Sequence, residues 1–176
     1  MPDDKRCAHA AADPAIHGPD AAETGIDTGL LAPGAWLALW GMRHRVGLML
    51  RKQPCDARLH EAFAANRAGD AARAIDALIV VLGVSAVRML DVRCPACPGL
   101  SADEALLLEA CADGARFGDK AALRLIVELL PPAAARIAAI HAAAAGRILR
   151  EAGLGWDSPT SANGRRIRLA PATGLN

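Results

Sequence analysis

Two cysteines separated by two residues, Cys94-Pro-Ala-Cys97, have the spacing best suited to chemistry in this 176-residue chain. Thiols held that close in one tight loop can chelate a soft metal ion or close on each other as a disulfide. The flanking Pro95 and Pro98 stiffen the loop that carries them. A tetrahedral zinc site needs four ligands, and no second Cys-x-x-Cys pair exists, so other side chains would have to arrive by folding. Cys55 and His60 are the chosen candidates, although their Cys-x4-His spacing resembles no standard zinc knuckle. Cys111 and His44 are the alternatives. No cofactor is expected, with zinc or another soft metal as the candidate if these thiols bind one. A Cys-Pro pair can also ligate haem as an axial thiolate, but no second feature describes a haem pocket. The redox alternative needs a lowered thiol pKa, which the start of a helix a few residues past Cys97 can provide. The usual redox motif sits between a strand and a helix in an α/β fold, and no such strand is read here. The plainest alternative is a rigid loop whose cysteines pack as small apolar groups.

A second constellation joins Trp36 and Trp40, one helical turn apart, to Arg43-His44-Arg45. Aromatic and arginine side chains at that spacing can lay a helix on a partner groove, so Trp36, Trp40, Arg43 and Arg45 are the candidate partner-binding residues. The competing reading has both rings covering the chain's own core and the cations facing water. Cys111 shares a stripe with Leu107 and Leu108 and is expected in the core, where a thiol is inert. His141, between Ile137 and Ile148 at helical spacing, is expected at the core margin. Asp103 and Glu104 are explained by backbone capping. The sequence has no nucleophile elbow, phosphate-binding glycine loop, His-Glu-x-x-His helix or paired-carboxylate site, which favours a non-catalytic role.

These residues need a scaffold, and the composition points to helices. Apolar residues make up 53% of the chain, yet it has only three Trp, two Phe and no Tyr, so Ala, Leu, Val and Ile carry the core. Ala and Leu favour helix over sheet. The expected fold is all-α, a compact bundle of about six helices arranged as helical hairpins. A formal net charge of +1 sets up no global field toward nucleic acid or an anionic membrane. The most apolar windows, Leu30–Met42 and Ala77–Val87, fall short of the roughly 20 residues that span a bilayer. The first residues lack the apolar stretch of a signal peptide. A cytoplasmic location follows as an expectation, and the Ala and Arg bias suggests a bacterial coding sequence.

Residues 1–30 mix Ala, Asp, Pro and Gly without periodicity and are expected to form a flexible leader. Residues 31–156 are expected to be the single helical domain. Its first helix starts at Pro33 and ends before Gln53-Pro54, and a short second one is capped by Asp56. The third, capped by Asp70 and running through Ile75, Leu78, Leu82 and Ala86 toward Leu90, is expected at the centre of the bundle. Pro95, Pro98 and Gly99 break the chain between Asp91 and Leu100. Ser101-Ala-Asp-Glu104 is a capping box opening the fourth helix. Asp119 is expected to cap the fifth, and Pro131-Pro132 forces a sixth that runs to about Gly153. A shift of 48 positions lays Glu61-Ala62, Ala74, Leu78 and Leu82 on Glu109-Ala110, Ala122, Ile126 and Leu130, a weak echo between two hairpins. Residues 157–176, with the Arg165–Arg168 cluster, are expected to be a flexible basic tail.

The functional expectation is a non-catalytic protein-interaction or regulatory module, with a protein partner or a second copy of the chain. The alternative is a zinc-binding or redox-sensing protein that uses the Cys94–Cys97 loop.

Overall fold

The computed structural model describes residues 23–156. Residues 1–22 of the expected leader and the whole expected basic tail lie outside the described residues. Among the described residues, six helices make an all-α bundle: α1 Pro33–Leu50, α2 Ala57–Ala65, α3 Gly69–Ser85, α4 Ala102–Phe117, α5 Asp119–Ile126 and α6 Pro132–Glu151. Proline stands in the first turn of α1 and of α6, where its missing N–H costs nothing. Asp56 caps α2 by accepting from the Leu59 amide at 3.3 Å, as its position predicts. Among the described residues, no helix is long and apolar enough to cross a membrane.

Helix α1 is largely enclosed. Of its 18 residues only Pro33, Trp36 and Leu50 are exposed. By contrast, α3, expected at the centre, leaves Val80 and Val84 in solvent while burying Ile75, Leu78, Ile79 and Leu82. Helix α6 packs against both α3 and α4. Its alanines and Gly146 permit a close approach to α4: a Cβ added at Gly146 would collide with the Cys111 carbonyl. The large core side chains include Phe63, Leu39, Met42 and Leu107, all fully buried. They supply the bulk that the many alanines lack.

Helix α3 stops at Ser85, one turn short of the expected end. Ala86 turns to extended backbone, and the Val87 amide donates to the Leu129 carbonyl at 3.0 Å, which directs the chain toward the start of α4. Asp70 lies in the first turn of α3 rather than at its cap, which is Ala68, and pairs with Arg73 at 2.6 Å. At the next junction Gly118 takes the cap position, with φ of +86°, a conformation that excludes most side chains. Asp119 is accordingly the first residue of α5 and reaches Arg147 at 3.4 Å.

Part of the segment read as a leader is a strand. β1, Glu23–Asp27, pairs antiparallel with β2, Gly99–Ser101, Glu23 opposite Ser101 and Asp27 opposite Gly99. Thr24 Oγ1 donates to the Leu100 carbonyl at 2.7 Å, and the Thr28 amide to the Pro98 carbonyl at 2.8 Å. Ile26 and Leu31 rest on the core beside this ribbon. Two apolar residues five positions apart carry neither the period of a helix nor the alternation of a long strand, so no pattern in the sequence marks the segment.

Candidate functional site

The loop between α3 and α4 carries Cys94 and Cys97, and the structure joins them as a disulfide with Cα atoms 5.4 Å apart. The Cys97 amide donates to the Cys94 carbonyl at 3.1 Å, closing the turn between them. Cys97 is buried and Cys94 half-buried, with Pro95 and Ala96 exposed at the tip. Cys94 is therefore the more accessible residue of the two, an asymmetry that thiol–disulfide exchange uses.

The loop is clamped from the inside by Arg43 of α1. Its Nη1 donates to the Cys97 carbonyl at 2.6 Å and its Nη2 to the Gly99 carbonyl at 2.7 Å. Nε and Nη2 also meet the two carboxylate oxygens of Glu104 at 2.7 and 2.8 Å. Arg43 is 2% exposed and Glu104 0%, so this is a fully desolvated, bidentate pair. Glu104 completes its hydrogen bonding by accepting from the backbone amides of Arg93 and Ser101, each at 2.9 Å. The second of these is half of the capping box, whose other half is the Glu104 amide donating to Ser101 Oγ at 3.1 Å.

Asp103 fastens the other end of the loop. It accepts from Arg88 Nη1 and Nη2 at 2.8 and 2.5 Å and from the Asp91 amide at 2.8 Å. This ion pair and the burial opposing it act on Arg88 together, and the pair wins, holding the guanidinium pKa above its ordinary value. Ser101 Oγ donates to the Asp91 carbonyl at 2.5 Å. The first turn of α4 thus holds the loop on both sides of the cysteines. Capping alone, the sequence-based account of Asp103 and Glu104, covers only part of what they do.

The other candidate metal ligands lie elsewhere. Cys55 Sγ is 3.9 Å from His60 Nε2, and these two form a pair of their own. Among the described residues, no group of three or more His, Cys, Asp and Glu side chains converges as a metal site would. The four residues chosen for zinc are two separate pairs, one of them already joined as a disulfide, and do not fit a tetrahedral centre. Burial and the carboxylate of Asp76 push the Cys55 thiol up, against the opposing charge of Arg45, which makes it a poorer nucleophile. Cys111 is fully buried and its thiol is pushed up to about 12 by desolvation. His141 is half-buried on α6.

The candidate partner face divides in two. Trp36 is 47% exposed, whereas Trp40 is half-buried against the core and stacks on His44 with ring centroids 5.1 Å apart. The two arginines turn inward. Arg43 forms the clamp just described, and Arg45 is buried in an ion pair with Asp76 of α3. His44 Nε2 lies 2.9 Å from Asp56 Oδ1. All three basic side chains of Arg43-His44-Arg45 therefore tie α1 to the rest of the bundle instead of facing water.

The residue that sequence reasoning missed is Arg43 as the partner of Glu104. A signal existed: Ala35, Leu39 and Met42 form an apolar stripe on α1, and Arg43 falls on its continuation four residues after Leu39. A cation in that position has to find a buried anion. Comparison with protein-family profiles, curated proteins and solved structures finds no significant match.

Proposed function

We propose that this chain is a non-catalytic helical regulatory module whose responsive element is the Cys94–Cys97 pair, cycling between dithiol and disulfide. The observation that carries the reading is the pairing of a half-exposed Cys94 with a buried Cys97 in a loop whose following carbonyls are gripped by Arg43. In the oxidising direction the Cys94 thiolate attacks a small-molecule or protein disulfide, forming a mixed disulfide and releasing one thiol. The Cys97 thiolate then displaces the second thiol and closes the loop. Two electrons and two protons pass from the protein to the oxidant. A reversible switch suits a compartment that keeps a thiol pool, and a cytoplasmic location is part of the proposal. A protein partner would read the state, and the exposed Trp36 is the aromatic anchor at hand.

The test equilibrates the full chain in thiol–disulfide buffers of graded poise, then blocks free thiols and maps the peptide containing Cys94 and Cys97. A reversible two-thiol transition is expected. A pair that stays in one state at every poise overturns the proposal. So does protein that, purified without added metal, holds one zinc per chain and loses it when Cys94 and Cys97 are replaced by serine.

A further inference from the structure

This inference rests on the redox reading above and concerns what the change would move. Residues 97–100 lead from the disulfide through a bend at Pro98 into β2, and their carbonyls alternate between two sets of partners. The carbonyls of Cys97 and Gly99 face Arg43. Those of Pro98 and Leu100 accept from the Thr28 amide and from Thr24 Oγ1. One short stretch of backbone is therefore shared between a buried arginine inside and the N-terminal strand outside.

We infer that the Cys94–Cys97 disulfide holds β1 on the bundle, so that reduction releases residues 23–31 while the six helices stay assembled. The two sides of the stretch are not equally strong. The inner side has the desolvated Arg43–Glu104 pair and the capping box of Ser101, neither of which needs the disulfide. The outer side has a five-residue strand against a three-residue one, and a two-stranded ribbon of that size is marginal by itself. Ile26 and Leu31 are only partly covered and add little burial. What keeps the ribbon in register is the fixed turn directly before it, closed by the disulfide and by the Cys97 amide bond to Cys94. Opening that turn removes the covalent tie between Cys94 and Cys97, leaving the Pro98 carbonyl that anchors Thr28 positioned only by the Arg43 bonds to its neighbours Cys97 and Gly99.

The reducing step needs a dithiol. Its first thiolate attacks the sulfur of Cys94, the more accessible residue, the Cys94–Cys97 bond breaks, and Cys97 leaves as a thiolate that takes up a proton. The second thiol of the reductant then attacks the mixed disulfide, freeing Cys94 and closing the reductant's own disulfide. Release of β1 uncovers the Pro98 and Leu100 carbonyls, an open backbone edge beside the apolar surface under Ile26 and Leu31.

Hydrogen–deuterium exchange on the full chain, oxidised or held in excess dithiol, tests this. Peptides covering residues 23–31 are expected to exchange about tenfold faster in the reduced protein. Peptides from α6 are expected to be unchanged, and the Cys94→Ser/Cys97→Ser variant should match the reduced protein in both buffers. Equal exchange of residues 23–31 across a verified two-thiol change overturns this inference alone. Equal acceleration in α6 also overturns it, because the disulfide would then stabilise the whole bundle. Failure of the two cysteines to change state removes the reading on which the inference stands.

Discussion

Arg43 and Glu104, 61 residues apart, meet side-on in the dry interior, and the same guanidinium also holds the carbonyls of Cys97 and Gly99. Helix, loop and cap are thereby joined at one point. A buried pair of this kind adds little net stability over a well-packed apolar pair, but removing one partner strands the other. Its structural consequence is that the cysteine loop has a defined position relative to α1.

Replacing Glu104 by Gln leaves the Arg43 charge buried without a counter-charge, and the expected loss of stability is about 3–5 kcal/mol. Arg43→Met should cost a comparable amount by stranding the carboxylate. The double variant should be less destabilised than the sum of the singles by about 2 kcal/mol, because the two losses share one interaction. Urea unfolding of the four proteins checks this, and additive losses would show that the pair is not coupled.

Gly146 lies where α6 crosses α4, and a methyl group there would overlap the Cys111 carbonyl and press on Ala115. The neighbour on one side is backbone, which yields poorly. Gly146→Ala is therefore expected to destabilise the protein by about 1–3 kcal/mol, despite alanine's better helix propensity. Thermal unfolding reads the sign directly. A gain in stability would mean that the helices can separate at no cost.

Much of this architecture is legible from sequence because its signals are local. Pro33 and Pro132 mark helix starts, Asp56 and the Ser101–Glu104 box mark caps, and the Pro95, Pro98 and Gly99 cluster breaks the chain where a loop is found. The errors arise where tertiary contacts decide. Helix α3 has the apolar pattern to continue, but the chain leaves it at Ala86 and places Arg88 against Asp103. β1 is held by backbone groups of a loop about 75 residues away, which no pattern within residues 23–27 encodes. At the candidate site the two cysteines were legible from spacing alone. Their clamp was not, since Arg43 next to His44 and Arg45 looks like a solvated basic run until the fold buries it.

Asp56 accepts a hydrogen bond from His44, and that bond, ahead of the Leu59 amide, holds its carboxyl below the ordinary value of 3.8. A carboxylate with a depressed folded-state pKa contributes stability above its unfolded value and loses it as pH falls through the folded value. Acidification below about pH 4 should therefore loosen the start of α2. His44→Ala is expected to move the Asp56 titration upward toward 3.8 by carboxyl NMR. An unchanged titration would assign the shift to the helix cap instead.

Cys111 acts at the opposite end of the pH scale. Desolvation pushes its thiol from 9.0 to about 12 in the folded chain. In that interval the native state retains a proton that the unfolded state has lost, so folding is opposed as pH rises. The contribution is complete below the unfolded value of 9.0 and is lost on approaching 12. Its limiting slope is about 1.4 kcal/mol per pH unit. Cys111→Ala removes the proton and should flatten the alkaline fall in stability, even though the smaller side chain lowers stability at neutral pH. The same burial predicts that thiol reagents modify Cys55 in the native protein and reach Cys111 only after unfolding. Peptide mapping after alkylation with and without denaturant separates the two, and native-state labelling of Cys111 would show that the α4–α6 contact opens more readily than its packing implies.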